Sequence, residues 1–189
     1  MSSSQDDTSP APDPARLLRD TLALFPTGVA IITSLTSQGE RIGATVSSFN
    51  SVSLDPPLVL FSIARSAKSF AAWAEINTFA VNVLQESQSA LSTQFARADG
   101  DKWAGLDPER GEKTGLPLLR SAIAALECNV WARYDGGDHL IIVGEVLAHE
   151  RALGADARPL VFSASRYARL ASETDIATPD HVGHLLHGW

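Results

Sequence analysis

The feature that most constrains this chain is a pair of long β-rich runs, about 122–134 and 139–150, joined by Asp135-Gly136-Gly137-Asp138. Asp and Gly adopt the positive φ angles that a tight hairpin turn needs, so these runs read as two long antiparallel strands. Shorter β-branched or apolar runs precede and follow them: Val29 to Ser34, Arg41 to Ser47, Leu58 to Ala64, Thr78 to Leu84 and Pro159 to Ser163. Ser37-Gln38-Gly39-Glu40 supplies turn chemistry between the first two of these. Helical spacing is confined to three short places. One covers about 14–24, with Asp13 as N-cap and Pro14 at the first helical position. A second is capped by Ser66 and carries Phe70 and Trp73, and a third opens at Glu86-Ser87 and runs through Leu91 to Phe95. Six or seven strands without regular β-α-β alternation predict a mostly β, mostly antiparallel barrel with a few peripheral helices. No Gly-x-Gly-x-x-Gly follows a strand, so a Rossmann dinucleotide site has no support.

A chain of 189 residues, 44% hydrophobic and 20% charged, is long enough for one globular domain with a sizeable core. Residues 1–12 are rich in Ser, Asp and Pro and are expected to be disordered. The domain is expected over 13–171, with 172–189 as a tail. A net charge of −7 argues against a nucleic-acid or anionic-membrane surface. It leaves room for a local cationic pocket. Cys128 is the single cysteine, in an apolar strand pattern, and reads as a buried inert thiol. No apolar run has the length of a membrane span, and the acidic N-terminus is not a secretory signal. A cytoplasmic location is the expectation.

Chemistry concentrates in residues 43–69. Thr45, Ser47, Ser48, Ser51 and Ser53 crowd the stretch before Asp55-Pro56-Pro57, and the apolar run Leu58 to Phe61 comes next. Small side chains let backbone approach a planar ligand with hydrogen-bonding edges. Read alone, the same serines also suit an ordinary loop between strands. Arg65-Ser66-Ala67-Lys68-Ser69 follows a strand and opens a helix, and a helix N-terminus with hydroxyls and adjacent Lys and Arg suits an anion. The plainer reading is an N-cap with a solvated lysine.

In order along the chain stand Phe25-Pro26-Thr27-Gly28-Val29, Phe79-Ala80-Val81-Asn82-Val83-Leu84, Asp101-Lys102-Trp103-Ala104-Gly105, Leu126-Glu127-Cys128, Gly137-Asp138-His139, Val143-Gly144-Glu145-Val146 and Ser165-Arg166-Tyr167. On these markers, together with the serine segment, the chain resembles the flavin reductase family, whose members supply reduced flavin to partner monooxygenases. The resemblance implies a Greek-key split β-barrel of the FMN-binding type. It implies hydride transfer from NADH, or NADPH, to FMN or FAD, in which the cofactors carry the chemistry and the protein orients them. The implied flavin residues are Arg41, Ile42, Thr45, Ser47, Ser48, Ser62, Ile63 and Ala64 beside the ring and ribityl chain. Lys68 and Ser69 are implied at the phosphate, and Gln94 and Phe95, with Arg97 nearby, at the flavin tail. The implied nicotinamide residues are His139, which also carries the catalytic assignment, and Phe162, Ser165, Arg166 and Tyr167. Many family members have glycine where Ser165 stands.

The resemblance also implies a homodimer, with the first helix and the C-terminal tail as packing elements, and a separate flavin-dependent monooxygenase or ferric complexes as the outlet. A flavin-binding storage or sensor protein without turnover is the other reading. It would need Lys68, Ser69 and the serines but not His139 or Arg166-Tyr167. His181, His184 and His187 have a spacing at which a pair can chelate a metal, but nothing completes a ligand set, so no metal is expected. The four Trp are expected in the core or at an interface.

Overall fold

A computed structural model describes residues 13–151 and 157–171. The elements are α1 (Pro14–Leu22), β1 (Thr27–Gly28), β2 (Ala30–Leu35), β3 (Arg41–Val46), β4 (Asn50–Leu54), β5 (Pro57–Ala64), α2 (Phe70–Glu75), β6 (Thr78–Val83), a 3-10 turn at Glu86–Gln88 leading into α3 (Ser89–Ala96), β7 (Glu109–Arg110), β8 (Pro117–Leu118), β9 (Ala124–Gly136), β10 (His139–Arg151), β11 (Val161–Ser163) and β12 (Arg166–Ala168). The local signals behave as their chemistry requires. Asp13 caps α1, its carboxylate accepting from the Ala15 amide at 3.1 Å with Pro14 behind it. The β9–β10 hairpin turns at Gly137, whose φ is +74°, and Asp138.

Seven strands form one antiparallel sheet in the order β3-β2-β6-β9-β10-β5-β4. β3 and β5 stand far apart in that order, yet Ser48, just beyond β3, bonds Ser62 of β5 in both directions. The Ser62 amide donates to Ser48 Oγ at 3.0 Å, and Ser48 Oγ lies 3.2 Å from the Ser62 carbonyl. The sheet therefore curls until its two sides meet without a backbone ladder between them, which makes a split barrel. Buried inside are Ile32, Phe61, Trp73, Phe79, Val81, Cys128 and Ile142. Phe61 meets Trp73 and Phe79 edge-on, with ring centres 5.8 and 5.0 Å apart. Gly144 is where β10 passes the Phe79 ring; a Cβ there would lie 2.3 Å from it. A smaller sheet, β1-β11-β12, closes one end.

Several expectations are corrected. Asn50–Leu54 is a strand and not a loop: β4 pairs with β5 as an edge, and all its residues are exposed, Val52 and Leu54 included, except the half-buried Ser53. The helix after β5 begins at Phe70, with Ser69 and not Ser66 at its N-cap, so Arg65 to Ser69 is a double turn. A two-residue pairing, β7 with β8, lies inside the 98–117 segment, and β12 extends the last strand into a hairpin. Trp73 is buried and Trp103 half-buried, but Trp131 is exposed; Trp189 lies outside the described residues. Cys128 is wholly buried, and burial with the neighbouring Glu127 charge pushes its thiol up to about 12, so it is inert. No helix among the described residues is long and apolar enough to cross a membrane.

Candidate functional site

The seam between β3 and β5 opens into a groove of about 550 Å³. One wall is the segment Ala44 to Ser48, the end of β3 and the two residues beyond it; the other is Ser62, Ile63 and Ala64 of β5. The turn Ser66 to Ser69 closes one end, and Phe95 to Ala98, Lys102 and His139 complete the rim. Alanines at 44, 64, 67, 96 and 98 keep the walls thin, so backbone lies near whatever fills the groove. The size suits a planar, drug-sized ligand, and the cations Lys68, Arg97 and Lys102 suit one carrying phosphate.

The hydroxyls do less than their number suggests. Thr45 Oγ1 donates to the Ser92 carbonyl of α3 at 2.6 Å, and Ser48 is engaged with Ser62. Ser69 Oγ accepts from Trp73 Nε1 at 3.1 Å. Lys68 is paired with Asp99, both exposed. Because α2 has only six residues and starts beyond Ser69, its dipole adds little, and the charge at this end of the groove comes from side chains.

His139 is the first residue of β10 and pairs with Ala64 across the sheet, which brings it to the groove. Its Nδ1 lies 2.6 Å from Asp138 Oδ1. That hydrogen bond, with the His139 charge, holds the Asp138 carboxyl below its usual range. Arg65 braces the turn: its amide donates to the Asp138 carbonyl at 2.9 Å, its Nε to the Gly137 carbonyl at 3.0 Å, and its guanidinium stands 3.5 Å from Asp135. Arg65 thus serves the His139 turn and does not line the groove.

A second recess, about 170 Å³, adjoins the groove and shares Thr45, Val46, Ser47 and Ala96 with it. Phe162 and Tyr167, in edge-to-face contact at 5.7 Å, form its far side. Ser165 and Arg166 do not line it. Ser165 has φ +60° and Ala164 φ +48° in the two-residue loop between β11 and β12, a backbone shape that favours glycine. Arg41, Ile42 and Gln94 also lie off the groove. The Arg41 guanidinium sits 5.7 Å over Trp103, and the Gln94 amide donates to the carbonyls of Lys102 and Ala104 at 3.0 and 3.1 Å.

Sequence reasoning misses Lys102. Its ammonium donates to the carbonyls of Phe95 and Gly43 at 2.9 and 3.1 Å, tying the end of α3 to β3, and burial lowers its pKa. Its marker segment is visible, but nothing local shows where the ammonium goes. Among the described residues no group of three or more His, Cys, Asp or Glu is placed to hold a metal. His181, His184 and His187 lie outside those residues.

A split antiparallel barrel with a thin-walled, cation-rimmed groove at its seam defines a class of protein that binds planar phosphorylated cofactors. Residues 22–171 match the family described as the flavin reductase like domain, and the chain belongs to that family. It is 43% identical over 164 residues to FMN reductase (NADH) SmoA of Agrobacterium fabrum, covering 87% of this chain and 91% of the relative. It is 40% identical over 175 residues to actinorhodin polyketide dimerase of Streptomyces coelicolor, covering 88% and 97%. Among solved structures it superposes on Streptomyces globisporus NADH:FAD oxidoreductase SgcE6, described in complex with NAD and FAD fragments. The TM-score is 0.79 at 38% identity, over 88% of this chain and 100% of that one.

Proposed function

We propose that this chain is an NAD(P)H:flavin oxidoreductase, with NADH the expected donor, that passes reduced FMN or FAD to a separate flavin-dependent monooxygenase. The observation that carries the reading is that groove and recess adjoin along Thr45-Val46-Ser47, so that a nicotinamide entering from the recess would lie against the face of a flavin ring in the groove. The relatives named as NADH-dependent reductases of FMN and of FAD support both the donor and the acceptor.

When bound, flavin supplies the electron-accepting ring and nicotinamide the hydride. The chain's own work is to bind and orient. Backbone from Ala44 to Ser48 and from Ser62 to Ala64 borders the ring, with the Ser47 and Ser62 hydroxyls beside it. Lys68, with Arg97, meets the phosphate once Asp99 yields. Phe95 holds the thin wall from behind. Phe162 and Tyr167 flank the nicotinamide. His139 sits at the groove rim, off the recess, with Nδ1 turned to Asp138, which fixes the ring's orientation and leaves Nε2 for a nicotinamide that reaches over the flavin. Arg41, Ile42, Gln94, Ser165 and Arg166 act at most through the segments they shape.

Two further readings belong here. A homodimer is proposed because α1 buries none of its residues and shows Leu17, Leu18 and Leu22 to solvent, with Leu24 and Phe25 just beyond it. A cytoplasmic setting fits an enzyme that consumes reduced nicotinamide.

The test is anaerobic stopped-flow absorbance at the oxidised-flavin band with FMN or FAD and NADH or NADPH. Rapid protein-dependent bleaching is expected. His139→Ala should slow it by about tenfold, the worth of one polar contact of roughly 1.4 kcal/mol, with flavin affinity unchanged. Bound flavin without bleaching would move the protein to the storage or sensor class. An equal loss of flavin binding in His139→Ala would remove that residue's proposed role.

A further inference from the structure

α3 carries a serine that links the two cavities. Ser92 is wholly buried, and its polar groups point to different parts of the site. Its carbonyl accepts from Thr45 Oγ1 at 2.6 Å, on the wall that groove and recess share. Its hydroxyl shares a 2.8 Å hydrogen bond with Tyr167 Oη, from 75 residues further along the chain. Thr93 Oγ1 is 3.5 Å from the same Oη, at the outer limit of a hydrogen bond.

Tyr167 needs such an anchor. It stands on β12, the outer strand of its small sheet, which among the described residues pairs only with β11. The loop joining these strands has two non-glycine residues at positive φ, so its backbone is not in its easiest conformation. The tyrosine is 40% exposed, and within its hairpin Phe162 meets its ring edge-to-face.

We propose that Ser92 is a positioning residue for the nicotinamide: its hydroxyl holds the Tyr167 ring at the edge of the recess and joins that hairpin to the Thr45 wall. The proposal rests on the reading of the recess as the nicotinamide site. The hydroxyl acts through Tyr167 and touches no reacting atom. Without it the ring is free to turn outward, and the phenol finds water. Ser92→Ala leaves no buried polar group behind and keeps the carbonyl that Thr45 uses, so the fold and the flavin groove survive.

The experiment compares Ser92→Ala, Tyr167→Phe, the double variant and Phe162→Leu in the full chain. It measures the NADH KM and kcat, flavin affinity by titration, and the melting temperature. Each of the two single hydroxyl deletions should raise the NADH KM about five- to tenfold and leave flavin affinity within about twofold, the loss of one hydrogen bond. The double variant should match the singles, because the same bond is gone in all three. An unchanged NADH KM in Ser92→Ala with a raised one in Phe162→Leu overturns the role of Ser92 while leaving the recess intact. So does an additive double variant, or a parallel loss of flavin affinity. If Phe162→Leu and both deletions all leave NADH untouched in an active reductase, the recess is not the nicotinamide site and the proposal fails with it.

Discussion

A methyl group added at Gly43 tests the wall between groove and core. A Cβ there would lie 2.4 Å from Phe95 Cε1 and 2.6 Å from Cδ1, where ordinary contact begins at 3.4 Å. The ring must therefore give by about 1 Å to reach ordinary contact. It has nowhere easy to go. Phe95 is wholly buried, packs edge-on against Trp103 at 5.1 Å, and has its carbonyl held by the same Lys102 ammonium that holds Gly43. Overpacking of this kind costs about 1–3 kcal/mol. Gly43 has an ordinary negative φ, so alanine recovers about 0.4–1 kcal/mol through the unfolded chain. A net loss centred on about 1.3 kcal/mol is expected, and at about 2–4 °C per kcal/mol for a chain of this size the melting temperature should fall by roughly 3–5 °C. Flavin affinity should weaken as well, because Phe95 lines the groove. Gly43→Ala with Phe95→Leu should regain part of the loss, giving a coupling opposite in sign to that of two cavity-forming changes. Calorimetric melts and a flavin titration decide it. A Gly43→Ala protein that melts at or above the wild-type temperature would refute the tight contact.

Glu127 offers a pH-dependent test. It is 5% exposed, and its carboxylate accepts from the Thr114 amide and hydroxyl, each at 2.6 Å, and from the Lys113 amide. Burial works to raise its pKa, but these bonds outweigh burial and hold the carboxyl below its ordinary value. The stabilisation is therefore complete above the unfolded value, about 4.3, and is lost as pH falls through the lower folded one. Glu127→Gln should lower stability at neutral pH by about 1.5–3 kcal/mol, with the gap to wild type closing in acid; a gap that does not depend on pH would contradict this. Lys68→Ala should weaken FMN more than riboflavin, and Asp99→Asn, which frees Lys68, should tighten FMN by about two- to fivefold without changing riboflavin. Equal effects on both flavins would take Lys68 off the phosphate.

Most of the strand inventory is legible in the residues. Thr78–Val83 and the two long strands have local periodicity, and Gly137-Asp138 and Asp13-Pro14 carry turn and cap chemistry within a few positions. β4 is not legible, because an edge strand exposed on both faces buries no alternating apolar set, so Asn50-Ser51-Val52-Ser53-Leu54 carries no inward-facing repeat. The helix after β5 starts later than its first serine suggests, because Ser66 and Ser69 are both competent caps and only the packing of Phe70 and Trp73 chooses between them. In the site, Thr45, Ser47, Ser48, Ser62, Ile63, Ala64, Lys68, Ser69, Phe95 and His139 do line the groove. Arg41, Ile42 and Gln94 do not, although they neighbour residues that do. A strand or helix turns alternate side chains away, and a segment match does not say which.

Local patterns in the residues mark where most of the longer strands lie, that the barrel is mostly antiparallel, and which small and cationic residue types are available, but not β4 or the short strands β1, β7, β8 and β12. These properties come from patterns a few residues long. The tertiary structure alone decided that the sheet curls until Ser48 reaches Ser62, which creates the groove. It decided that Thr45 and Ser48 engage the protein, and that Lys68 meets Asp99. It decided that Lys102 bridges β3 and α3, and that Ser92 meets Tyr167. Each of those contacts joins residues between 7 and 75 positions apart, and whether a hydroxyl or ammonium faces ligand, solvent or a distant carbonyl depends on sheet curvature and packing that no local run of residues encodes.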